Sequence, residues 1–278
     1  MLFDAHTHLN YEEFSEEERL ERAREIEASV VDFIIDVGDS VESSKQAIQD
    51  AADYPWCYAA VGIHPDKALT YSADDIDKIK ELASAPKVKA IGEIGLDFHY
   101  GKDSKSEQIE LFRKQVRIAN ELMMPIMIHT READALTMDI LIEEGAFSDA
   151  RKEYFPERPD EQGNMVPDAR VQLHCYSESL ELAREYVKLG ATFSIGGPLT
   201  FKNARKTVEV LEGIPLQFIM SETDAPFLAP EPKRGRPNKT PYVEHVVRRM
   251  ALLKGIEYDE AARITSDNAI RFFNLEDK

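Results

Sequence analysis

Two histidines near the start of the chain lie two residues apart, in the segment Asp4-Ala5-His6-Thr7-His8. The segment reads as a short strand, in which side chains at positions i and i+2 point to the same face. His6 and His8 would then place two imidazoles in one small volume, which is half of a metal site. Taken alone, the pair fits equally well with two polar residues at the frayed end of an edge strand.

Other metal-type and acidic residues follow apolar runs in the same way. They stand at the ends of the third, fourth, fifth, sixth and eighth predicted strands, as His64, Glu93, His129, His174 and Asp224. Five of the seven histidines in the chain are therefore strand-end residues, whereas a random scatter would leave most of them on helices and loops. The pattern favours one shared site over a set of isolated buried histidines.

The residue types indicate which chemistry that site would perform. Imidazole and carboxylate groups suit zinc, manganese, iron or magnesium-type divalent ions. Four histidines and two carboxylates are too many for one tetrahedral ion, so we predict two divalent ions, Mg²⁺, Mn²⁺ or Zn²⁺. Two ions about 3.5–4 Å apart can activate water and stabilise both the attacking and the leaving oxygens. Glu93 lies between the two ligand groups and is predicted to bridge the ions.

Eight short apolar runs supply the strands that must position these residues. The predicted strands are Leu2–Leu9, Val31–Val37, Trp56–Ile63, Val88–Leu96, Pro125–Thr130, Val171–Tyr176, Ala191–Ile195 and Gln217–Glu222. Amphipathic helical patterns alternate with them, which is typical of parallel β-α units. Eight such units in about 250 residues predict an α/β fold, a closed (β/α)8 TIM barrel, with its active site at the C-terminal ends of the strands. We predict one domain over residues 1–278.

One stretch, residues 147–170, interrupts this alternation. It carries Pro156, Pro159, Gly163 and Pro167 among charged residues, and we predict an extended loop. Long loops in compact domains are usually functional or mobile. Because this connection runs from the fifth helix to the sixth strand, it would lie on the face away from the active site, and a structural or oligomeric role is favoured.

Composition limits the possible partners of the chain. The 278 residues are 43% hydrophobic and carry a formal net charge of −18. A protein this acidic does not bind DNA, RNA or an anionic membrane through its overall field, so a polyanionic substrate must be held locally. Two cysteines imply no disulfide framework, and neither a signal peptide nor a membrane-length apolar run is visible. We predict a cytoplasmic protein without a membrane partner; the sequence leaves the oligomeric state open.

A basic cluster follows Asp224. Lys233, Arg234, Arg236 and Lys239 stand close together, and with Arg131 they are predicted to hold substrate phosphates through Arg forks and Lys charges. The alternative is an ordinary solvated loop.

Six motifs in order along the chain resemble those of the TatD family of metal-dependent hydrolases. They are Asp4-Ala5-His6-Thr7-His8-Leu9, Gly62-Ile63-His64-Pro65, Gly92-Glu93-Ile94-Gly95-Leu96-Asp97, Ile128-His129-Thr130-Arg131, His174-Cys175-Tyr176-Ser177 and Glu222-Thr223-Asp224-Ala225-Pro226. The family belongs to the amidohydrolase-like barrels, and its members act as deoxyribonucleases. The resemblance covers nearly the whole chain.

The resemblance implies a role for each site residue. His6, His8 and Asp224 would hold one ion together with Glu93, and Glu93, His129 and His174 would hold the second. His64 would touch the substrate phosphate or the attacking water. Asp224 would also orient or deprotonate that water.

The resemblance also limits the choice of substrate. Glu178 replaces the glycine usual in the sixth-strand motif of the family, and the 147–170 stretch is longer than expected, so both features bear on the substrate more than on the metals. Our first hypothesis is a deoxyribonuclease acting like a 3′–5′ exonuclease on DNA or another phosphodiester. The alternative is an amide- or ester-bond hydrolase, such as an aminoacyl-nucleic-acid deacylase. A non-catalytic metal-binding or scaffold protein would show a broken ligand set, and none is broken here.

Two residues near the predicted ligands in the sequence, Cys175 and Asp97, are expected to contribute less to catalysis. Strand alternation predicts that Cys175 points away from His174 into the helix layer, which argues against a thiol nucleophile. Substituting Asp97 is expected to hurt activity less than substituting Glu93.

Overall fold

The computed structural model describes residues 1–275, which contain ten strands. In chain order these are β1 (Phe3–Thr7), β2 (Phe33–Val37), β3 (Cys57–Val61), β4 (Val88–Asp97), β5 (Ile126–Arg131), β6 (Arg158–Pro159), β7 (Met165–Val166), β8 (Val171–Leu173), β9 (Ala191–Ile195) and β10 (Ile219–Ser221). Eight of them form one parallel sheet in the order β1-β2-β3-β4-β5-β8-β9-β10. Every predicted strand is present in this sheet.

The first and last strands of the sheet meet and nearly close it into a barrel. Just beyond their C-terminal ends, the backbone N–H of Asp224 donates to the carbonyl of His6 at 2.9 Å, and that of His8 donates to the carbonyl of Ala225 at 2.8 Å. The predicted (β/α)8 class is thereby confirmed. The two bonds also tie the segments that carry three of the predicted ligands to each other.

Within residues 1–275, ten α-helices accompany the strands. They are α1 (Glu16–Glu27), α2 (Val41–Asp53), α3 (Ala73–Leu82), α4 (Lys105–Glu121), α5 (Asp134–Glu143), α6 (Asp149–Tyr154), α7 (Leu180–Leu189), α8 (Arg205–Gly213), α9 (Val243–Lys254) and α10 (Tyr258–Phe272). Helix α4 buries Leu111, Phe112 and Val116, as an amphipathic helix packed on a sheet does. None of the helices within residues 1–275 combines the length and apolar character needed to cross a membrane.

The core lies in two layers. A large cluster fills the space between sheet and helices, and a smaller one inside the barrel contains Phe3, Ile35 and Met127. Phe272 and Phe273 at the end of α10 join the inner cluster, with the Phe273 ring stacked on Phe3 at 6.0 Å. Because Phe3 begins β1, α10 covers the N-terminal end of the barrel, and the opposite end carries the site.

Residues 147–170 are not the extended loop that we predicted. They contain helix α6 and the antiparallel hairpin β6–β7. The hairpin turn forms because the Asp160 carboxylate accepts the backbone N–H groups of Gln162 and Asn164, and Gly163 adopts a φ of +84°. Arg158 anchors the hairpin to the Ala191 carbonyl at 2.6 Å, at the start of β9. The segment therefore lies on the expected face, away from the C-terminal strand ends.

Candidate metal centre

The strand geometry of β1 brings the first two histidines together. The Nε2 atoms of His6 and His8 lie 3.2 Å apart, and both rings are buried. His8 Nδ1 lies 2.8 Å from the carbonyl oxygen of Val37 at the end of β2. A ring nitrogen hydrogen-bonded to a carbonyl carries a proton, so in the neutral ring the free lone pair is on Nε2. Once it has lost its second proton, His8 is therefore held in the tautomer that a metal ligand needs.

Two carboxylates complete a first donor group. Glu93 Oε2 lies 3.5 Å from His6 Nε2 and 3.9 Å from His8 Nε2. Asp224 Oδ1 lies 3.7 Å and 3.4 Å from the same two atoms. Donors around a tetrahedral ion with bonds near 2.0–2.1 Å stand roughly 3.3 Å apart. This group therefore has the spacing of one ion's ligands.

A second donor group lies on the other side of Glu93. Its Oε1 atom is 2.8 Å from His129 Nδ1 and 2.8 Å from His174 Nε2. These two nitrogens are 3.4 Å apart, and His64 Nε2 lies 3.9 Å from Glu93 Oε1. Each oxygen of Glu93 thus faces a different group, which is the arrangement that a bridging carboxylate requires.

The donor chemistry fits divalent metal ions. Nitrogen and carboxylate oxygen atoms converge in both groups. Within residues 1–275, neither group contains a lysine or an arginine, so both suit a cation. The structure brings together all six predicted ligands, His6, His8, Glu93, His129, His174 and Asp224. Their division between two ions stays a prediction.

Asp97 was not assigned to the site from the sequence, yet it holds one of the ligands. Its Oδ2 lies 3.2 Å from His129 Nε2, and its Oδ1 accepts the backbone N–H groups of His99 and Tyr100 at 2.9 Å each. The carboxylate fixes the His129 ring so that Nδ1 faces Glu93. The available signal was spacing, because Asp97 follows Glu93 by four residues on β4 and so points to the same face.

Glu222 lies beside His174, at a distance too long for a hydrogen bond. This buried carboxylate has its Oε1 3.6 Å from His174 Nδ1. Its other oxygen accepts a hydrogen bond from Ser194, whose hydroxyl oxygen accepts one from Gln172 at 2.7 Å. His6, His174 and Glu222 also form a further group of potential metal donors. The sequence placed Glu222 in a motif but indicated no role for it.

The predicted direction of Cys175 is wrong. Strand β8 ends at Leu173, and Cys175 adopts a left-handed φ of +45°, so strand alternation no longer applies to it. Its thiol lies beside Glu222 instead of in the helix layer; burial raises its pKa well above the usual value, and the Glu222 carboxylate raises it further. A thiol kept protonated in this way is a poor nucleophile.

The charges of the metal-free site compensate one another. Burial would raise the pKa of Glu93, but His174 and the hydrogen bonds with His129, His174 and His6 hold it well below its usual range. Burial opposes protonation of His8, yet the hydrogen bond with Asp224 and the nearby carboxylates raise its pKa to about 9. Metal ions and protons therefore compete for the same atoms.

Among the residues predicted to hold phosphate, His64 lies beside the second donor group, and three of the others lie against aromatic rings. Arg131 ends β5 and lies over the Tyr100 ring at 4.7 Å. Arg234 lies over Phe201 at 4.0 Å and Lys233 over Tyr242 at 5.3 Å. Arg236 is exposed. Their part in substrate binding stays a prediction.

Lys239, the fourth residue of the basic cluster, is ion-paired with Glu25 on α1. This ion pair offsets the charge that Lys239 would offer to a phosphate.

A cavity of about 250 Å³ opens directly beside the donor groups. His8, His64 and Glu93 form its inner wall, and Tyr11 and Phe227, with ring centroids 5.4 Å apart, form an aromatic edge. The remaining charged lining residues are Glu12, Asp39, Asp66 and Lys67. Three carboxylates against one ammonium give this acidic cavity an excess of negative charge.

Comparison with known proteins agrees with this geometry. A family model described as TatD related DNase matches residues 3–274. YabD of Bacillus subtilis, described as an uncharacterized metal-dependent hydrolase, is 40% identical over 277 residues, covering 99% of this chain and 100% of that protein. A Mycobacterium tuberculosis protein, the uncharacterized metal-dependent hydrolase TatD, is 31% identical over 283 residues, covering 99% and 98% of the two chains.

A solved structure shares the fold over almost its whole length. The crystal structure of YJJV, a TatD homolog from Escherichia coli K12, superposes with a TM-score of 0.85 at 26% sequence identity. The alignment covers 99% of this chain and 98% of that one.

Proposed function

The chain belongs to the TatD-related DNase family and is a metal-dependent hydrolase, and from this premise we propose that it cleaves phosphodiester bonds in DNA. The proposed action is that of a 3′–5′ exonuclease with two divalent ions. The cytoplasm is the proposed location.

One observation carries the proposal: a single buried carboxylate, Glu93, stands between two groups of nitrogen and oxygen donors. Two divalent ions held by these residues would suit the displacement of an alkoxide from phosphorus, because charge develops on both the attacking and the leaving oxygen. Bound ions would supply Lewis acidity and lower the pKa of a nearby water.

The protein's own residues would position the reactants. Asp224 Oδ1 belongs to the first donor group, and we also assign this carboxylate to orient the attacking water and receive its proton. His64 Nε2 faces the second donor group at its open side and would donate to a phosphate oxygen. Its Nδ1 accepts the backbone N–H of Asp66, which orients the ring. Arg131, Lys233, Arg234 and Arg236 would hold neighbouring phosphates.

The test is nucleotide release from single-stranded and duplex DNA after chelation and after Mg²⁺, Mn²⁺ or Zn²⁺ is restored. Glu93→Ala removes the shared carboxylate, and Glu185→Ala on the exposed face of α7 is the matched control. We expect metal-dependent release by the wild type and by Glu185→Ala, with none by Glu93→Ala. A protein that holds two ions and cleaves no DNA with any of the metals would overturn the proposal.

The acidic cavity favours a second candidate function, hydrolysis of an ester that carries an ammonium group, as in an aminoacyl-nucleic acid. Glu12, Asp39 and Asp66 would repel a further phosphate but attract an α-ammonium group. Solvent screens Glu12 and Asp66, which are 65% and 51% exposed, so the preference would be modest.

One substitution separates the two candidates. Asp39→Asn removes a negative charge from the cavity and keeps the size of the side chain, which accepts a hydrogen bond from Ser43 at 2.6 Å. If the substrate is an aminoacyl ester, the variant should have a raised KM for it. If the substrate is DNA, the variant should bind it equally well or better.

A further inference from the structure

The end of the barrel opposite the metal centre contains four buried or nearly buried arginines, Arg151, Arg158, Arg170 and Arg271. The first three are each 1% exposed, and the side chain of Arg271 is 18% exposed. Arg170 immediately precedes β8, and its carbonyl accepts the backbone N–H of Ile126 at the start of β5. The arginine cluster thus lies at the N-terminal ends of the strands.

The cluster has more positive than negative charge. Asp168 Oδ2 is 3.1 Å from Arg170 Nε and also pairs with Arg271. Arg158 donates to the Thr192 hydroxyl and the Ala191 carbonyl. Arg151 donates to neutral carbonyl and amide oxygens. Within residues 1–275, four guanidinium groups therefore share one carboxylate, in a protein whose net charge is −18.

Three of these guanidinium groups have a nitrogen without a hydrogen-bond acceptor. Among the residues described, Arg158 Nε, Arg170 Nε and Arg271 Nη2 are buried without a hydrogen-bond partner; Arg170 Nε lies near Asp168 but outside hydrogen-bonding geometry. Burial lowers the pKa of Arg158 and of Arg271 to about 9, and the neighbouring guanidinium groups contribute to both shifts. Uncompensated buried charge is costly, so an anion bound nearby would stabilise the fold.

A cavity of about 330 Å³ adjoins the cluster, and we call it the base cavity. Arg170 is part of its lining, and Lys89 supplies a second cation. Phe155, Tyr154 and Phe273 provide aromatic surface. No carboxylate belongs to its lining within the described part of the chain. The volume falls in the range of small-molecule sites, which combine apolar walls with a few placed charges.

We propose that the base cavity binds a phosphate monoester that carries a flat or apolar group, such as a nucleoside monophosphate. A dianion matches two cations, a guanidinium and an ammonium, better than a monovalent anion does. The aromatic walls would pack against the rest of the molecule. This inference does not depend on the reaction proposed for the metal centre.

The test is calorimetric titration of the metal-free protein with 2′-deoxyadenosine 5′-monophosphate and with inorganic phosphate. Lys89→Met removes the ammonium group from the cavity and retains most of the apolar stem. Lys188→Met on α7, where the lysine is 69% exposed, is the matched control. We expect the monophosphate to bind Lys89→Met about tenfold more weakly than the wild type, as for one lost charge-assisted hydrogen bond, and Lys188→Met to bind like the wild type.

A third variant separates the base cavity from the metal centre. Glu93→Gln alters the donor groups and leaves the base cavity intact, so the monophosphate should bind it with wild-type affinity. Binding lost in Glu93→Gln but retained in Lys89→Met would place the ligand at the metal centre and overturn the proposal. An absence of binding to the wild type would also overturn it.

The chain's own acidic end provides a last control. Glu276 and Asp277 follow Leu275 in the sequence, and a variant that ends at Leu275 lacks both carboxylates. Equal affinity of this variant and the full chain supports an external ligand. Binding that appears only in the shortened variant would overturn the proposal, because the chain would then supply its own counter-charge.

Discussion

At the scale of single residues, the site depends on carboxylates that lie against histidine rings. Glu93 faces both donor groups, whereas Asp97 contacts one of their members, His129. Loss of the Glu93 carboxylate should therefore weaken metal binding at both donor groups, whereas loss of the Asp97 carboxylate should disturb only the His129 ring. The two acids stand four residues apart on one strand, so they can be compared within the same framework.

Asp97→Asn is predicted to weaken metal binding at the second donor group. The amide is nearly isosteric, but it has a single carbonyl acceptor and no charge, so it holds the His129 ring less firmly. Replacing such outer partners typically costs about 10–100-fold in metal affinity or activity. Metal titration should show one weakened site in Asp97→Asn and two lost sites in Glu93→Gln. Equal and mild effects of both substitutions would contradict the bridging role of Glu93.

Metal affinity is predicted to rise with pH. In the metal-free protein the pKa of His8 is about 9, so at pH 7 a metal ion must displace a proton from this ring. Raising the pH towards 9 removes that competition and should tighten binding roughly tenfold per pH unit for each displaced proton. Competition with a chelator at pH 6.5, 7.5 and 8.5, corrected for the chelator's own protonation, measures the slope. A flat profile would mean that His8 is neutral before the metal binds.

At the scale of secondary structure elements, contacts between β1 and the segment after β10 fix the relative positions of the site residues. The buried Asp4 carboxylate on β1 accepts the backbone N–H of Thr223 at 2.8 Å and its hydroxyl at 2.5 Å. Thr223 directly precedes Asp224, so this contact positions a ligand from the last strand against the two from the first. Burial raises the pKa of Asp4 well above its usual value, with these hydrogen bonds opposing the shift.

Thr223→Val is predicted to destabilise the protein by about 1–3 kcal/mol, because it leaves a buried carboxylate short of a donor. Urea unfolding of the metal-free protein measures the loss. Thr70→Val is a suitable control, since that exposed hydroxyl bonds only to the Lys67 carbonyl. An unchanged unfolding midpoint for Thr223→Val would show that the Thr223 hydroxyl does not stabilise the contact between β1 and the segment after β10.

At the scale of the whole molecule, charge is distributed unevenly. The net charge of −18 disfavours the binding of DNA, so a nucleic-acid substrate must bind through a local group of cations. Lys233, Arg234 and Arg236 are the candidates, since Lys239 is ion-paired with Glu25.

Replacing Lys233, Arg234 and Arg236 together by glutamine should raise the KM for DNA and flatten its dependence on salt. Each lost phosphate contact with duplex DNA should reduce the slope of log affinity against log salt by about 0.9. The matched control replaces the exposed Lys45, Lys188 and Arg263 by glutamine, which changes the net charge equally. An equal effect of both triple variants would mean that net charge alone causes the change. The basic cluster would then be an ordinary solvated loop.

Sequence alone predicted the barrel and the six residues that the structure brings together at one end of it. The strands alternate with helices at regular spacing, and a residue that follows an apolar run must emerge at the end of its strand, so the positions of His129 and His174 in the chain were enough to assign them to the site. The period-2 geometry of strands also placed His6 beside His8. The family resemblance, confirmed by the match over residues 3–274, rested on these same positions.

Only the tertiary structure decided how the surrounding groups face one another. Cys175 was predicted wrongly because the direction of a side chain beyond a strand depends on local backbone angles, here a left-handed φ. Packing between strands that lie far apart in sequence brings Asp97 into contact with His129 and Glu222 close to His174. The contact between Asp168 and Arg271 joins residues 103 positions apart. No local pattern encodes such pairings, since they arise when the sheet closes and buried charges must find partners.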